Sequence, residues 1–599
     1  MVNTAFFSGQ GSAAFIGMLN ESYAHFVPSA HIPNLSMLID PGRDTFTEGF
    51  FWRGFWIQNS YGFGLASVPF LREPFFSLLQ NSLDLYWDRI GDGMRTGYDS
   101  DDDEVKGNNF GLWQLVGPDG CLGDCVSAGG SIAYKQGDGW QKHDWFYEAT
   151  AAGLVMQAEL LLRKRDIGEV KKYLPKMLRS CDFIERARDA NGLFLVGPGC
   201  DLLAPSFGAV WNKNGKMEKS YLAGLTITYS GALMRMLELC RLAGEEDTCK
   251  LLEQRLAQNM ASLPLLLTDE GYFVKSLETN GTKHGVYAAE RFGYFESVVS
   301  VDAIALGVAD RNTAESILQK IASIEGLRPA GFLPKNYPGL DDTYKNYGSA
   351  YMDDRYWNPG DWVNGGCWGT VEGRAILAYL KLGRFEDAAA SVKQAYEWTK
   401  NYRMDAPWCQ YGVNTHNEWS DRENQPEVSV MIDNFAIPAA LLRGIFEYEY
   451  TADTLKLTPH LPACIQCLSQ KVPIFWGGKE LYISCANGAA ITGLTIDGRP
   501  ADCFDDGCVW LRFDDLAQVS SVCIEMDGEK PEPPTQISAQ GKDWLVRACA
   551  EALEKRKNTP LDSTSQTLRP MTEAKKEQII QLYRQALLRA EKLLKEDTQ

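Results

Sequence analysis

Two carboxylates in long loops are the candidates for acid–base chemistry. Asp201 lies in an apolar segment shaped by Gly and Pro, GPGCDLLAP, where burial is expected to raise its pKa and suit it to a general acid. Glu418 lies between Asn417 and Trp419 in a second long loop, and it is the best candidate for a base that activates water. The alternatives are a turn or helix-capping role for Asp201 and a solvated position for Glu418. Glu218 is the nearest rival to Asp201, but it is flanked by lysines and lies closer to the helix cap. Glu423 and Glu427 fit solvated positions better.

Aromatic residues accumulate around acids at several points of the chain. The segment YWNPGDWVNGGCWG, residues 356–369, contains three tryptophans and four glycines, and its only charge is Asp361. Because indole faces stack on the C–H faces of sugar rings while a few polar groups fix the hydroxyls, this segment predicts a sugar platform. Core packing is the alternative for any single tryptophan. Residues 50–60 and 140–149 have the same aromatic and acidic character.

The predicted substrate-binding residues come from these segments and from their neighbours in the loops. They are Asp44, Trp52, Arg53, Trp56, Asp144, Trp145, Tyr356, Trp357, Asp361, Trp362, Trp368, Tyr411 and Trp419. No metal ligand set and no cofactor motif accompanies them: the sequence has no P-loop, no dinucleotide fingerprint and no HExxH. We therefore expect a reaction that needs neither a metal nor a cofactor.

Amphipathic helices dominate the chain before residue 450 and must position these loops. Short charged turns at Asp166, Gly244, Asp310 and Gly383 recur at intervals of 78, 66 and 73 residues, which indicates repeated helical hairpins. Helices are predicted before such turns near 53–70, 147–163, 220–242, 294–308 and 366–382, with a sixth beginning at Asp433. Helices are predicted after the turns near 74–88, 168–187, 246–262, 312–322 and 385–400, with another near 12–23 at the N-terminus.

Two sets of six helices predict an (α/α)6 barrel whose long loops all reach the inner helices from one end. An open α-solenoid is the alternative. Beyond residue 450, apolar and polar residues alternate between Gly-rich turns, which predicts a small antiparallel β domain. The expected organisation is a barrel domain at 1–450, a β-sandwich-like domain at 451–528, and a linker with a C-terminal helical tail at 529–599.

Composition narrows the possible partners. The 599 residues carry a formal net charge of −19, which argues against nucleic acid and against an anionic membrane surface. The 15 cysteines are scattered, and no secretory signal is apparent, so we expect reduced thiols and a cytoplasmic location. Cys464 and Cys467 form a lone CxxC near His460, a weak zinc motif. The charged C-terminal helix suits solvent or a homo-oligomer contact.

The order of these segments resembles the six-hairpin glycosidases, most closely glycoside hydrolase family 63 and its trehalase-like inverting relatives, over about residues 40–450. Residues 356–362 are similar to the family's YWRGPxW segment, although Asn358 replaces its arginine. The resemblance implies that Asp201 is the general acid and Glu418 the base, with carboxylates about 6.5–9.5 Å apart in inverting enzymes. The family's N-terminal β domain has no counterpart, and Asp433 is among the residues that replace an aromatic-Ser pattern.

The function predicted from these residues is a glycoside hydrolase that cleaves a small oligosaccharide or glycoside by an inverting single displacement. Its expected partner is a carbohydrate substrate. A C-terminal β module after such helices is also found in rhamnosidases and inverting phosphorylases, so an inverting glycoside phosphorylase is one alternative. A sugar epimerase and a non-catalytic carbohydrate-binding protein are the others.

Overall fold

Twelve α-helices follow one another along the part of the chain that the structure describes. The structure is a computed structural model that describes residues 6–27, 34–40, 43–49, 54–93, 117–123, 125–126, 132–133, 145–196, 219–290, 293–328, 331–339, 365–399, 402–403, 428–429 and 431–534. The helices are α1 Ala13–Ala24, α2 Ile57–Ser67, α3 Phe75–Trp87, α4 Trp145–Lys164, α5 Ile167–Glu185, α6 Ala223–Ala243, α7 Glu246–Ser262, α8 Ser297–Ala305, α9 Arg311–Ser323, α10 Gly369–Lys381, α11 Phe385–Thr399 and α12 Ala436–Gly444. Short 3₁₀ helices lie at Leu35–Leu38, Leu263–Leu266, Ile432–Phe435 and Phe513–Asp515.

The charged turns of the sequence are helix caps. The side chain of Asp166 accepts a hydrogen bond from the Glu169 N–H at the start of α5, and Asp310 does the same for Thr313 in α9. Gly244 ends α6 with φ +77°, a left-handed conformation that favours glycine. These local signals explain why the hairpins recur where the sequence predicts them.

Even-numbered and odd-numbered helices differ in how they are buried. The inner helix α6 has fifteen buried residues on all sides, whereas its outer neighbour α7 buries only Leu252, Asn259 and Ser262. A helix that is apolar all round belongs inside a protein, and an amphipathic one belongs at its surface. The even-numbered helices are therefore called inner and the odd-numbered helices outer.

Contacts among the inner helices run in a closed cycle. Each of α2, α4, α6, α8 and α10 contacts the next inner helix, and α12 contacts α2. Outer helices pack behind this cycle, for example α7 on α6 and α11 on α10. The prediction of a mainly α fold with twelve helices is confirmed.

Short strands lie between the helices, and β4, β8 and β11 lead directly into α2, α6 and α8. They are β2 Ile39–Asp40, β3 Thr45–Phe46, β4 Phe55–Trp56, β5 Cys125–Val126, β6 Ile132–Ala133, β7 Leu195–Val196, β8 Ser220–Leu222, β9 Ser276–Glu278, β10 Lys283–His284, β11 Phe295–Glu296, β12 Asn336–Tyr337, β13 Tyr402–Arg403 and β14 Val428–Ser429. They pair as β2–β3, β4–β5–β6, β7–β8–β9–β10, β11–β12 and β13–β14.

The remaining strands form a β unit, defined as β1 together with β15–β23. They are β1 Phe7–Gly11, β15 Glu449–Tyr450, β16 Thr454–Leu457, β17 Ile465–Gln470, β18 Ile474–Trp476, β19 Lys479–Ala486, β20 Ile491–Ile496, β21 Arg499–Ala501, β22 Val509–Arg512 and β23 Val519–Met526. The larger sheet has the order β1-β17-β19-β23-β20-β21, with β18 on β19, and the smaller one has the order β15-β16-β22. Buried residues of the helices and of this unit form one continuous hydrophobic core.

Three features differ from the sequence-based expectations. The β unit takes its edge strand β1 from the N-terminus, where only a helix is predicted. Its sheet is mixed and not purely antiparallel, since β19 and β23 run parallel after the chain crosses through β20–β22. The helices α2, α6 and α8 begin three or four residues later than predicted, because the apolar pattern continues into β4, β8 and β11.

Candidate active site

Both predicted catalytic residues, Asp201 and Glu418, lie outside the described residues. Their roles therefore stay predictions. The same holds for nine of the predicted substrate-binding residues. These are Trp52, Arg53, Asp144, Tyr356, Trp357, Asp361, Trp362, Tyr411 and Trp419.

Four predicted substrate-binding residues lie within the described ranges. Trp56 directly precedes α2 and is partly exposed, Trp145 is the first residue of α4, and Trp368 directly precedes α10. Only 3% of the Trp368 surface is exposed, so most of this indole packs in the core. Asp44 lies apart from them: its backbone carbonyl accepts a hydrogen bond from the Asn81 side chain of the outer helix α3, at 2.8 Å.

Hydrogen bonds join the starts of α8 and α10. The Ser297 N–H, at the first residue of α8, donates to the Lys335 carbonyl at 3.0 Å. The Lys335 N–H donates in turn to the Gly366 carbonyl at 2.9 Å, three residues before α10. The two ends of the chain segment 336–365, which contains residues 356–365 of the predicted sugar platform, are therefore held together beside the start of α8.

The starts of α12 and α2 are joined in the same way. The Ile432 N–H donates to the Glu48 carbonyl at 2.8 Å, and the Glu48 N–H donates to the Gly54 carbonyl at 2.7 Å. The start of α6 is reached through β9, where the Ala223 N–H donates to the Lys275 carbonyl at 3.2 Å. We call the first residues of α2, α6, α8, α10 and α12, with the segments that join them, the loop end.

An ion pair without solvent access lies at the loop end. The Lys335 ammonium is 3.3 Å from each carboxylate oxygen of Glu296, and both side chains are only 1% exposed. Taking two charges out of water costs free energy that close pairing must offset. Glu296 directly precedes α8, so this pair ties α8 to the segment that leads to α10. A further carboxylate of this end, Glu48, is 1% exposed.

Asp433 is a fully buried acid at the loop end. It belongs to the 3₁₀ turn before α12, and neither of its carboxylate oxygens has a hydrogen-bond partner within the described residues. Burial raises its pKa from 3.8 to about 7, and the nearby N–H groups of Asn434, Asp433 itself and Gly369 lower it less. This carboxyl group is therefore poised between its two protonation states near neutral pH.

The closeness of α10 to the Asp433 turn depends on a glycine. A Cβ atom at Gly369 would lie 2.6 Å from the Asp433 carbonyl oxygen and 2.7 Å from the Asn434 Cα, closer than such atoms approach in proteins. Gly369 is the last residue of the aromatic and Gly-rich segment singled out above. Its missing side chain lets two inner helices begin in contact at this end.

A charged pair also lies inside the cycle of inner helices. Arg374 of α10 donates to Asp302 of α8 at 2.7 Å, and their side chains are 0% and 2% exposed. The guanidinium also lies 5.1 Å from the ring centre of Tyr61 in α2. Burial raises the pKa of Tyr61 well above its usual value. These contacts join three inner helices below the loop end.

Asp433 and Lys335 are functional candidates that the sequence analysis does not select. Asp433 meets the criterion used for Asp201, an acid in an apolar segment of the chain that leads to an inner helix, in VMIDNFAIP. That signal was available in the sequence. Lys335 shows no comparable signal, because its importance comes from its contact with Glu296, 39 residues away.

Comparisons with known proteins give remote likenesses. Neither a protein-family model nor a curated protein matches the chain. A GH78 family rhamnosidase of Bacillus sp. GL1 is 13% identical over 80% of this chain with a TM-score of 0.46, and the chain covers 42% of its length. A GH63 mannosylglycerate hydrolase of Thermus thermophilus is 13% identical, with 66% of this chain and 96% of that one covered and a TM-score of 0.41. A cellobiose 2-epimerase of Spirochaeta thermophila is 10% identical, with 72% and 97% covered and a TM-score of 0.44.

Likenesses at these values identify no family and no activity, so the family resemblance of the sequence stays a prediction. Within the described residues, no group of three or more His, Cys, Asp or Glu side chains is arranged to hold a metal ion. No described helix combines the length and the apolar character needed to cross a membrane. What the chain does is inferred from its own residues.

Proposed function

We propose that this chain is an inverting glycoside hydrolase, built on an (α/α)6 barrel, that cleaves a small oligosaccharide or glycoside. Asp201 is the general acid and Glu418 the general base. The carbohydrate is held by the aromatic residues of the loops, with Trp56 and Trp145 at the starts of two inner helices, while the buried Trp368 supports the start of a third. The scattered cysteines of the sequence support a cytoplasmic site of action.

The observation that carries the proposal is the hydrogen-bonded loop end. The loop with Asp201 leads to α6, the aromatic segment leads to α10, and the loop with Glu418 leads to α12. The starts of α10 and α12 are adjacent, and α6 contacts α8, which begins beside α10. The loops that carry the two acids lead to α6 and α12, three positions apart in the cycle of inner helices, and both lead to the loop end, where a site between them would suit inversion.

The reaction proposed is a single displacement at the anomeric carbon. Glu418, ionised, takes a proton from water while the water oxygen bonds to the anomeric carbon from the face opposite the leaving group. Asp201 gives its proton to the glycosidic oxygen as that bond breaks, and the configuration inverts. Carboxylates that act in this way stand about 6.5–9.5 Å apart, which leaves room for the water.

The test is a screen of aryl glycosides and natural disaccharides, with products followed by NMR as they form. We expect free sugar of inverted configuration without added phosphate. The substitutions Asp201→Asn and Glu418→Gln should each lower kcat by about 10²–10⁴-fold, the contribution of a positioned acid or base. Substrate binding should survive both changes.

Matched controls lie in the same loops. Glu218→Gln and Glu423→Gln change a nearby acid in each loop and should leave kcat within about twofold of the unchanged chain, given the surface behaviour expected of solvated acids. Full activity in Asp201→Asn and Glu418→Gln would refute the assignment of the catalytic pair. A strict need for phosphate would make the chain a phosphorylase, and binding without turnover in any assay would make it a carbohydrate-binding protein.

A further inference from the structure

A groove of about 650 Å³ lies between the helices and the β unit. On one side are the C-terminal ends of α8 and α10 and the residues that follow α12. On the other side are β16 and the turn Asp505–Cys508 between β21 and β22. Pockets of this volume are large enough for small-molecule ligands.

This groove is separate from the loop end. Lys381, which lines it, is the last residue of α10, whereas Gly369 at the loop end is the first. A helix of this length spans about 20 Å at 1.5 Å per residue. A ligand in the groove would therefore not touch the residues to which we assign catalysis.

A carboxylate at the centre of the groove is held from both sides. Glu447 accepts a hydrogen bond from Lys381 at 2.8 Å and lies 2.6 Å from the Nε2 atom of His460. Its φ of +56° is rare for a residue with a side chain, and Tyr448 follows with +46°. Backbone strain of this kind persists where surrounding contacts fix it, often at ligand sites. The hydrogen bond with His460 and the charge of Lys381 outweigh burial and lower the pKa of Glu447 to about 2.

Charges of both signs line the groove in equal number. Its anionic side chains are Glu447, Asp505 and Asp506, and its cationic ones are Arg311, Lys381 and Lys456. A strongly charged ligand would meet repulsion from one of these sets. Hydroxyl groups donate and accept hydrogen bonds at once, so they suit a lining that mixes carboxylates with ammonium and guanidinium groups.

Aliphatic side chains complete the lining. They are Ile304, Ala309, Ala314 and Leu382, all on the helical side. A sugar ring presents C–H groups on its faces and hydroxyls around its edge, which matches a lining that combines aliphatic with polar side chains. We propose that this groove is a second carbohydrate site, which binds a neutral saccharide of one or two rings without cleaving it.

The test is direct binding of defined saccharides to the full chain. Methyl α-glucoside, methyl α-mannoside, maltose and trehalose are the probes, followed by saturation-transfer NMR and by calorimetry. Lys456→Met removes one polar group from the groove, and Thr458→Trp fills part of it. Lys471→Met, on the same β unit but outside the groove, is the matched charge control.

At least one probe should bind, with an affinity lowered tenfold or more by Lys456→Met and by Thr458→Trp and unchanged by Lys471→Met. Turnover of glycosides should be the same in all three variants. Three results would overturn the proposal. They are equal affinity in all variants, a loss of affinity in Lys471→Met as large as that in Lys456→Met, and no binding of any probe. Lys456→Met decides the outcome if Thr458→Trp fails to fold. Because binding is read without turnover, the groove proposal can fail while the hydrolase proposal holds, and the reverse.

Discussion

The two ends of the inner helices hold buried carboxylates in opposite electrostatic settings. Toward the C-terminal ends, Glu159 of α4 lies 2.7 Å from Arg235 and 3.2 Å from Arg443, and Glu447 lies 2.8 Å from the Lys381 ammonium and 2.6 Å from the His460 ring. At the loop end, backbone N–H groups are what offsets the burial of Asp433 among the described residues, and they offset it only in part. The pKa of Glu447 is consequently lowered to about 2 and that of Asp433 raised to about 7.

The difference shows that one set of helices can hold Glu159 and Glu447 as permanent carboxylates and Asp433 as an acid that titrates near neutral pH. Burial disfavours a carboxylate in both places. The arginines beside Glu159, and Lys381 with the His460 hydrogen bond beside Glu447, reverse its effect, whereas the backbone N–H groups beside Asp433 do not. The charges around Glu159, which join α4, α6 and α12, lie toward the C-terminal ends, and the buried Lys335–Glu296 pair is a fixed pair at the loop end. An acid that changes protonation near neutral pH lies at the end to which the predicted catalytic loops lead.

The largest effect is expected from breaking the Glu159 cluster. Glu159→Gln leaves Arg235 and Arg443 buried without their carboxylate, and loss of one partner of a buried pair costs about 3–5 kcal/mol. Urea unfolding followed by tryptophan fluorescence measures the loss. The control is Glu253→Gln, since the Glu253–Arg241 pair has side chains 53% and 48% exposed and should matter by less than about 1 kcal/mol. Equal losses in both variants would contradict the comparison.

Removing the titratable acid of the loop end should change how stability depends on pH. The folded pKa of Asp433, about 7, exceeds the unfolded value, so its protonated form favours the folded chain and this contribution is lost as pH rises from about 4 to about 7. The loss is about 1.4 kcal/mol per pH unit in that window. The unfolding free energies of the unchanged chain and of Asp433→Asn are measured from pH 4 to pH 8. Relative to the variant, the unchanged chain should lose stability by this amount per pH unit between about pH 4 and about pH 7. Parallel curves would show that Asp433 titrates normally.

Glu447→Gln should give the opposite pH dependence. Its folded pKa of about 2 lies below the unfolded value, so its stabilisation is complete above about pH 4.3 and is lost as pH falls toward 2. The shift corresponds to about 3 kcal/mol at pH 7. Thermal unfolding midpoints at pH 7 and pH 3 measure it, and the deficit of the variant should shrink at the lower pH. A deficit that grows on acidification would refute the assignment.

The smallest effect is expected from Gly369→Ala, which tests the contact between the start of α10 and the turn before α12. A methyl group at Gly369 collides with the backbone of Asp433 and Asn434, and overpacking of this kind costs about 1–3 kcal/mol. Gly17 in α1 has no atom within 4 Å of its would-be Cβ, so Gly17→Ala should stabilise by about 0.5–1 kcal/mol. Differential scanning calorimetry compares the two variants. A Gly369→Ala chain as stable as Gly17→Ala would mean that the helix starts move apart freely.

Much of the helical framework is readable from the sequence because its signals are local. Caps such as Asp166 and Asp310 and the spacing of apolar residues mark all twelve helices. The strand β1 is not readable, since its partner β17 lies far along the chain and a five-residue strand has no period that identifies its partner. The helices α2, α6 and α8 begin later than predicted for a related reason. The residues just before them are apolar, but they form β4, β8 and β11, which pair with distant segments.

The site is less readable than the framework. Residue type and neighbourhood select Asp201 and Glu418, which remain predictions, while the burial of Trp368 depends on contacts that no local pattern contains. Asp433 shows the limit most clearly. Its carboxyl pKa depends on burial and on the Gly369 N–H, 64 residues earlier in the chain, and sequence alone does not reveal that approach.

The pairing of β1 with β17 has a consequence for synthesis. Ser8 and Ser469 are hydrogen-bonded across 461 positions, so β1 leaves the ribosome long before its partner exists. Until then its backbone groups and Phe7 have no sheet to join, and unpaired strands are sites of misassociation. The β unit therefore closes only after the helices have been made, and chaperone demand should be greatest in that interval.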